Sequence, residues 1–212
     1  MVMDLDRCNG CNACVIACKV EHNTANNINF TRVLERQVGT YPNASRQFLP
    51  VMCNHCEDAP CIDVCPTKAT YAREEDGIVL VDWDKCIGCG ACILACPYEQ
   101  RFQVLDNRTV FPDGETGFVK PDTNRAPAGV TAKCDLCYHR IDQGREPACA
   151  EACPTGARIF GVVDEDAGAK AKTKTKANDK PAYRNLNDII SRKNAFSLLT
   201  EKGTKPCVFY VG

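Results

Sequence analysis

The residues with the clearest chemistry are four cysteines between positions 86 and 97, where the chain reads C-I-G-C-G-A-C-I-L-A-C-P. Their spacing is C-x2-C-x2-C-x3-C, followed by proline. Three thiolates three residues apart can hold one 4Fe-4S cluster, and a fourth, set off by a longer step and a proline, points to a second cluster. The spacing therefore predicts iron–sulfur ligation and a pair of clusters.

Three further groups of four cysteines share the same plan. Residues 2–18 align with residues 80–96 without a gap, and nine of the seventeen positions are identical, which marks an internal repeat. Two more divergent groups are spaced C-x2-C-x4-C-x3-C-P and C-x2-C-x11-C-x3-C-P, and both continue as C-P-T-x-A. In chain order the four quartets are Cys8, Cys11, Cys14 and Cys18; Cys53, Cys56, Cys61 and Cys65; Cys86, Cys89, Cys92 and Cys96; and Cys134, Cys137, Cys149 and Cys153.

The chain has 17 cysteines, so four quartets leave only Cys207, which we expect to be a half-buried free thiol. Zinc is the closest alternative metal, but its knuckles are pairs of C-x2-C without the third cysteine and the trailing proline. Disulfides are disfavoured because the residues before Cys8 leave no room for an export signal. Lys19 replaces the trailing proline of the first quartet, which we expect to alter local geometry and not ligation.

The segments around the quartets are predicted to be short strands and loops. Each copy of the repeat begins as a strand that runs into a cluster loop, and residues 69–81 form a strand, a turn and a second strand. Residues 38–43 form a turn between extended segments because glycine, proline and asparagine supply the required backbone angles. A long irregular insertion is expected at 98–133, a solvated and mobile segment at 166–180, and an extended tail at 205–211.

A short helix is predicted over residues 188–199, capped by Asn187. Its apolar periodicity places Ile189, Ile190, Phe196 and Leu199 on the buried side.

The spacing also indicates how the quartets pair. The stretch from Cys53 to Cys96 has the size of a bacterial ferredoxin, so the outer quartets would form a second unit into which the first is inserted. Each unit would exchange its fourth cysteines between its two clusters. The prediction is an α+β, loop-rich fold of two interlocked ferredoxin-like units: 53–97 is the inserted unit, 1–52 plus 98–163 the outer unit with linkers, and 164–212 a mobile segment, short helix and extended tail.

Other side chains carry weaker signals. His55 and His139 lie beside cysteines and either donate a hydrogen bond to a cluster sulfur or serve the fold, while His22 is expected on the surface. Four aromatic residues beside the cluster loops are expected to exclude water from the clusters: Tyr71, Trp83, Tyr98 and Phe102. The ladder Lys170, Lys172, Lys174 and Lys176 is interpreted as a solubilising loop.

Composition and motifs exclude several function classes. The formal net charge of -1 and the dispersed basic residues do not indicate a nucleic-acid binder. No apolar run approaches the roughly 20 residues of a membrane span. The chain has no glycine-rich phosphate loop and no nucleophile–base pair, and every thiolate of the quartets is used in ligation. An electron carrier without catalytic chemistry is therefore predicted.

Taken together, the four motifs resemble the four-cluster electron-transfer subunit of molybdenum or tungsten bis-pterin oxidoreductases: the dimethyl sulfoxide, polysulfide, thiosulfate, tetrathionate and arsenate reductase group. The resemblance covers nearly the whole chain, including V-G-T-Y-P at 38–42, C-N-H-C-E-D-A-P-C at 53–61, D-G-I-V-L-V-D at 76–82 and G-T-K-P at 203–206. It implies four 4Fe-4S clusters. The implied ligand sets are Cys8, Cys11, Cys14 and Cys153 (cluster A); Cys18, Cys134, Cys137 and Cys149 (cluster B); Cys53, Cys56, Cys61 and Cys96 (cluster C); and Cys65, Cys86, Cys89 and Cys92 (cluster D).

The resemblance further implies a large molybdenum- or tungsten-bis-pterin catalytic subunit as partner, with electrons passed to or from a quinone-linked membrane anchor or a soluble carrier. The expected location is the cytoplasm, or the periplasm by export together with a signal-bearing catalytic subunit. Two alternatives stay open from the residues alone. One is a free-standing polyferredoxin that shuttles electrons among soluble enzymes, and the other is a zinc-based interaction module.

Overall fold

The strands that flank the cysteine quartets pair with one another across long distances in the chain. The computed structural model describes residues 1–106, 125–163 and 183–212. Strand β1 (Val2–Asp4), before the first quartet, lies antiparallel to β8 (Arg158–Ile159), after the fourth quartet. Strand β4 (Thr70–Ala72), after the second quartet, lies antiparallel to β5 (Val79–Val81), before the third. Strand pairing therefore brings the first quartet to the fourth and the second to the third.

The two pairings have the same register. Met3 lies opposite Arg158 in the first pair, and Val81 lies opposite Thr70 in the second. Met3 and Val81 are equivalent positions of the internal repeat, and Arg158 and Thr70 are equivalent positions after the shared phrase C-P-T-x-A. The sequence repeat is thus also a repeat of backbone pairing.

Short helices carry the third cysteine of each quartet, and the sequence had predicted only strands and loops there. They are α1 (Ala13–His22), α2 (Pro60–Asp63), α3 (Ala91–Ala95) and α5 (Ala148–Glu151), with α4 (Tyr138–Ile141) after the second cysteine of the fourth quartet. Helix α1 packs against α5, and α2 packs against α3. These two contacts repeat the association already made by the strands.

The helices of the first and third quartets differ in length, and the residue after the fourth cysteine accounts for the difference. Pro97 forces its predecessor out of the helical region, and Cys96 accordingly adopts an extended conformation with φ -80° and ψ 110°, which ends α3. Lys19 stands at the equivalent place in the first quartet, and α1 continues through it to His22. The predicted change in local geometry at Lys19 is confirmed, and its form is an additional helical turn.

A long hairpin extends from the region of the first quartet. Strands β2 (Thr31–Val38) and β3 (Ser45–Met52) pair antiparallel over their whole length, as the turn predicted at 38–43 requires. Their base, where Thr31 lies opposite Met52, is buried, while the end near the turn is exposed.

The predicted irregular insertion is more ordered at its ends than expected. Strands β6 (Phe102–Gln103) and β7 (Thr131–Ala132) pair antiparallel and close its base. The stretch 107–124 lies outside the described residues, as does 164–182, which contains the segment predicted to be mobile and the lysine ladder.

The C-terminal helix is shorter than predicted. Helix α6 (Asn187–Arg192) begins at Asn187, so that Leu186 and not Asn187 is its N-cap. The chain then turns through Asn194, whose φ is 47°. Phe196 and Leu199 are consequently outside the helix and 45% and 39% exposed, and their predicted place on its buried side is wrong.

The C-terminal tail joins the central sheet. Strand β9 (Phe209–Val211) pairs parallel with β1, which is therefore the middle strand of the order β8-β1-β9. Tyr210 and Val211 are fully buried there, so the end of the C-terminal tail is an extended strand within the sheet. The main apolar cluster surrounds the cysteines and includes Met3, Met52 and Tyr210. Across residues 1–106, 125–163 and 183–212, no helix is both long and apolar enough to cross a membrane.

Candidate iron–sulfur centres

A cavity near the first quartet is lined by cysteines of the first and fourth quartets. Its sulfur-bearing residues are Cys8, Cys11, Cys14 and Cys153. The loop after β1 carries Cys8, and Cys153 immediately precedes the turn into β8, so the β1–β8 pairing brings them together. These are the four residues that the resemblance assigned to cluster A.

A second cavity repeats the arrangement in the middle of the chain. It is lined by Cys65, Cys86, Cys89 and Cys92, the set assigned to cluster D. Here the β4–β5 pairing brings Cys65, before β4, to the loop after β5. In both cavities three sulfurs come from one quartet, and the last cysteine of another quartet completes the group.

The cysteines assigned to cluster B form a buried group. Helix α1 carries Cys18 and packs against α5, which carries Cys149. Burial raises the pKa of Cys18 well above its ordinary value, and the nearby sulfurs of Cys134, Cys149 and Cys137 raise it further. Burial likewise raises the pKa values of Cys134 and Cys137. All four thiols lie in one poorly solvated region.

Three of the four cysteines assigned to cluster C are close neighbours. Burial raises the pKa of Cys56 to about 12, and Cys53 and Cys61 add to this effect. Cys96 directly follows α3 as its C-cap, and α3 packs against α2, which carries Cys61. Tyr98 lies within electrostatic reach of both Cys56 and Cys96.

The chemistry of these groups fits 4Fe-4S clusters. All 17 cysteines lie in the described residues and all are free thiols, so none is used in a disulfide. Each assigned set contains four sulfur donors, and such donors select soft metals such as iron in clusters or zinc. Because their pKa values are raised, the buried thiols keep their protons in the absence of a metal. Metal binding requires thiolates, so a bound metal would displace these protons.

In both copies of the phrase C-P-T-x-A, the threonine hydroxyl and a backbone nitrogen at or next to the end of the phrase lie close to the cysteine sulfur. The backbone nitrogen of Thr70 lies 3.5 Å from Cys65 Sγ, and that of Ala157 lies 3.3 Å from Cys153 Sγ. The hydroxyls of Thr67 and Thr155 approach the same two sulfurs at 3.8 and 3.6 Å. Burial acts to raise the pKa values of these two cysteines, but the hydrogen bonds outweigh it and lower them. Such bonds stabilise a thiolate and raise the potential of a cluster bound to it.

His22 is not on the surface, and that prediction is wrong. Its side chain lies on the last turn of α1 and is only 1% exposed. Its Nε2 lies 3.4 Å from Cys137 Sγ and 3.4 Å from Asp135 Oδ1. The replacement of proline by Lys19 was the available signal, because it permits the helical turn that carries His22.

The other two histidines differ in their partners. The backbone nitrogen of Val79 donates to His55 Nδ1 at 3.2 Å, so the proton of the neutral ring lies on Nε2. That Nε2 is buried and has no hydrogen-bond partner among the described residues. Burial lowers the pKa of His55 well below its ordinary value. His139 bonds Glu21 Oε1 at 2.7 Å, which favours the fold-supporting alternative for this residue.

The aromatic residues do not all shield clusters. Trp83 and Phe102 pack against the main apolar cluster, and Tyr98 Oη lies 2.6 Å from Thr204 Oγ1. Tyr71, however, is 42% exposed, so it covers less than predicted. Cys207 is partly buried with a free thiol, as predicted, and its backbone nitrogen donates to the Asn54 carbonyl at 2.9 Å.

Sequence analysis missed two buried arginines among the cysteines. Arg101 and Arg158 are each 4% exposed. Arg158 lines the first cavity, and Arg101 lies near Cys61, Cys92 and Cys53. Neither residue stands in a cysteine motif, so no local pattern indicated them.

Comparison with known proteins assigns the family. Two profiles described as "4Fe-4S dicluster domain" match the chain, one over residues 44–112 and 118–163 and the other over residues 7–69. The chain belongs to this family. Two dicluster domains correspond to four 4Fe-4S clusters, and the predicted cofactor is therefore confirmed.

Three relatives of this chain are named as iron–sulfur or electron-transfer subunits of reductases. A protein of Halobacterium salinarum assigned as a dimethyl sulfoxide reductase iron–sulfur subunit is 38% identical over 100% of this chain and 78% of its own length. The arsenate respiratory reductase iron–sulfur subunit of Shewanella sp. strain ANA-3 is 34% identical, covering 100% and 94% of the two chains. The thiosulfate reductase electron transfer subunit of Salmonella typhi is 40% identical, covering 78% and 76%. The predicted resemblance to this group of 4Fe-4S dicluster subunits is confirmed.

Proposed function

We propose that this 4Fe-4S dicluster protein is the electron-transfer subunit of a molybdenum or tungsten bis-pterin oxidoreductase. It relays single electrons between a large catalytic subunit and a quinone-linked anchor or soluble carrier, and it performs no chemistry on a substrate. The single observation that carries the proposal is the cavity lined by Cys8, Cys11, Cys14 and Cys153, in which cysteines of two distant quartets meet around one space. One-electron transfer is the chemistry that such clusters supply when bound.

The proposal includes the ligand sets of clusters A to D and two interlocked units. Strand pairing β1–β8 and helix contact α1–α5 support an outer unit made of the first and fourth quartets. Pairing β4–β5 and contact α2–α3 support an inserted unit made of the second and third. The same register in both strand pairs supports one fold plan used twice.

Neighbouring cysteines support an order A–B–C–D for the four centres. Cys14 of set A lies within electrostatic reach of Cys149 of set B, and Cys134 of set B within reach of Cys53 of set C. Arg101 bridges Cys61 of set C and Cys92 of set D. Such an order is what a relay between two partners requires.

The exposure of the cysteines supports A and D as the two ends of this order. Cys11 of set A and Cys89 of set D are exposed, whereas every cysteine of set B is buried. Electrons would therefore enter or leave at clusters A and D. Between these two ends, the residues of this chain would ligate iron through thiolates and exclude water. The relatives are named as subunits of reductases, which supports a permanent catalytic partner for this chain as well. Its compartment would then be that of the catalytic subunit.

Purification from the native source, with metal analysis of every co-eluting protein, tests the proposal. We expect a large companion that contains molybdenum or tungsten, and about sixteen irons in this chain. The same irons without a companion would favour a free polyferredoxin, and zinc in place of iron would overturn the proposal.

A further inference from the structure

Two buried arginines lack the partners that normally compensate a buried charge. Nη2 of Arg158 donates to Thr31 Oγ1 at 2.6 Å, and Nη1 of Arg101 donates to Thr70 Oγ1 at 3.1 Å. A hydroxyl is neutral, and burial of an uncompensated guanidinium costs several kcal/mol. Among the described residues no carboxylate forms an ion pair with either arginine, and Nη2 of Arg101 is buried without a hydrogen-bond partner there.

The negative groups that these arginines face are cysteine sulfurs. Arg158 lies beside Cys14 and Cys149, which belong to the proposed sets A and B. Arg101 lies beside Cys61 and Cys92, which belong to the proposed sets C and D. In each case both cysteines are the third cysteines of their quartets, and they belong to two different proposed clusters. Each guanidinium therefore stands between the two centres of one proposed unit.

The two guanidiniums occupy equivalent positions of the two strand pairs, although they come from different segments of the chain. Arg158 lies opposite Met3, and its equivalent in the other strand pair is Thr70, opposite Val81. At that equivalent place the side chain is a threonine, and its hydroxyl holds Arg101, which comes from the segment after the third quartet. Two unrelated segments thus supply the same charge at the same position, which points to a requirement for the charge itself.

Two buried lysines among the described residues differ from these arginines. Lys19 Nζ donates to the carbonyls of Ala25 and Ile28 at 2.6 and 2.7 Å. Lys133 Nζ donates to the carbonyls of Cys134, at 2.7 Å, and Val79. Those ammonium groups are bound to backbone oxygens, whereas the guanidiniums of Arg101 and Arg158 lie beside cysteine sulfurs.

We propose that Arg101 and Arg158 raise the reduction potentials of the cluster pairs that they separate, Arg158 for clusters A and B and Arg101 for clusters C and D. One-electron reduction adds one negative charge at a centre, and a fixed positive charge nearby in a poorly solvated interior favours the reduced state. Because each guanidinium lies between two centres, it acts on both. This inference rests on the ligand sets proposed above.

The test is a redox titration of the four clusters in the purified native complex, monitored by electron paramagnetic resonance. The variants are Arg101→Gln and Arg158→Gln, with Arg101→Lys and Arg158→Lys as charge-retaining counterparts. Arg73→Gln is the matched control, because Arg73 is also largely buried but is paired with Asp76 and Asp142. Iron content of the wild-type chain is measured first, since fewer than about sixteen irons would contradict the ligand sets and not the arginines.

We expect Arg101→Gln to lower two of the four midpoint potentials, each by a tenfold shift in the ratio of reduced to oxidised cluster, which is 59 mV for one electron. Arg158→Gln should lower the other two by a similar amount. The two lysine variants should stay within about threefold of the wild type, and Arg73→Gln should change none. Because the two variants should shift different pairs of potentials, the test does not require each electron paramagnetic resonance signal to be assigned to its cluster in advance.

Several results would overturn the proposal: four unchanged potentials, a uniform shift of all four, or a shift of the same two by both glutamine variants. If the glutamine variants lose iron, the lysine variants decide the question. Wild-type potentials in the lysine variants would show that a positive charge at these positions suffices. Loss of iron in the lysine variants, or a shift of all four potentials by the same amount, would assign the arginines to cluster assembly alone.

Discussion

The first and third cysteine segments, residues 2–18 and 80–96, have the same cysteine spacing but differ in the residue after their last cysteine. Pro97 ends α3 after five residues, whereas Lys19 allows α1 to run for ten. The additional turn carries Glu21 and His22, which contact residues of the fourth quartet's segment. The cysteine spacing thus determines the cluster loop. The single residue after the last cysteine determines whether the helix continues and contacts the segment of the fourth quartet.

Glycines in the same two segments are required for two different reasons. Gly10 and Gly88 are equivalent, and a Cβ at Gly88 would overlap the carbonyl oxygen of Gly129. Gly90 also has a positive φ, 75°, but nothing lies near its missing Cβ, and its equivalent in the first segment is Asn12 with φ 60°. Gly88 is therefore needed for space and Gly90 only for its backbone angle, which asparagine also adopts.

Lys19→Pro would make the first segment resemble the third, and we expect it to have the largest effect. A proline inside α1 removes a helical hydrogen bond and clashes with the preceding turn, at about 3 kcal/mol or more. The carbonyls of Ala25 and Ile28 also lose their donor. The holoprotein should melt at least about 6 °C lower, as measured by circular dichroism.

Pro97→Ala is the matched change in the third segment. It should cost less than about 1 kcal/mol, through the greater freedom of the unfolded chain. Equal losses from Lys19→Pro and Pro97→Ala would contradict the different roles assigned to these two positions.

Gly88→Ala should have the next largest effect. Overlap with a backbone oxygen, together with the left-handed conformation, should cost about 3 kcal/mol and reduce the iron content. Gly90→Asn is the control, which copies the first segment and should cost less than about 1 kcal/mol. Thermal unfolding and iron analysis of both variants check this prediction, and full iron with unchanged melting in Gly88→Ala would refute it.

Glu21→Gln tests the contact that the additional helical turn makes. The hydrogen bond with His139 and the nearby Arg140 lower the pKa of Glu21 from 4.5 to about 2. A lowered folded-state pKa stabilises the fold above the ordinary pKa, and this contribution is lost as the pH falls from about 4.5 towards 2. We expect Glu21→Gln to cost about 1 to 2 kcal/mol above pH 5, because bonds to charged groups are lost.

The measurement is the melting temperature of both proteins between pH 8 and pH 3. The difference between them should be constant down to about pH 5 and should narrow below it. A difference that widens as the pH falls would contradict the sign of the linkage.

Leu94→Ser and Ile16→Ser should have the smallest effect. These side chains occupy equivalent positions of the two segments and are 91% and 60% exposed. Each variant should change the free energy of unfolding by less than about 0.5 kcal/mol. Leu186→Ala is the buried reference, since that leucine is fully buried and its truncation should cost about 2 to 5 kcal/mol. Comparable losses in Leu94→Ser and Leu186→Ala would disprove the surface position of Leu94.

Much of this fold could be predicted from the sequence because its turn residues and its repeat are local patterns. Glycine, proline and asparagine marked the turn between β2 and β3, and the repeat placed β1 and β5 before their cysteines. The helices that carry cysteines were missed because most span only four or five residues, too few for a helical period. The C-terminal helix was predicted too long because Phe196 and Leu199 fit the period, while the left-handed Asn194 lies between them and α6.

The parts of the site that were missed depend on long-range contacts. His22 and Cys137 are separated by 115 positions in the chain, and Arg158 and Thr31 by 127. No window of sequence contains both members of either pair. The cysteine quartets could be found because four cysteines at fixed spacing are themselves a local pattern, whereas a buried cation beside them is not.

The central claim is that the fourth cysteines are exchanged between the first and fourth quartets, and paired cysteine substitutions test it most directly. The double variant Cys14→Ser/Cys153→Ser removes two ligands that the proposed sets place on one cluster. The double variant Cys149→Ser/Cys153→Ser removes two neighbours of one quartet that the sets place on different clusters. Iron content and electron paramagnetic resonance should show one perturbed cluster in the first variant and two in the second. Two perturbed clusters in the first and one in the second would contradict the exchange.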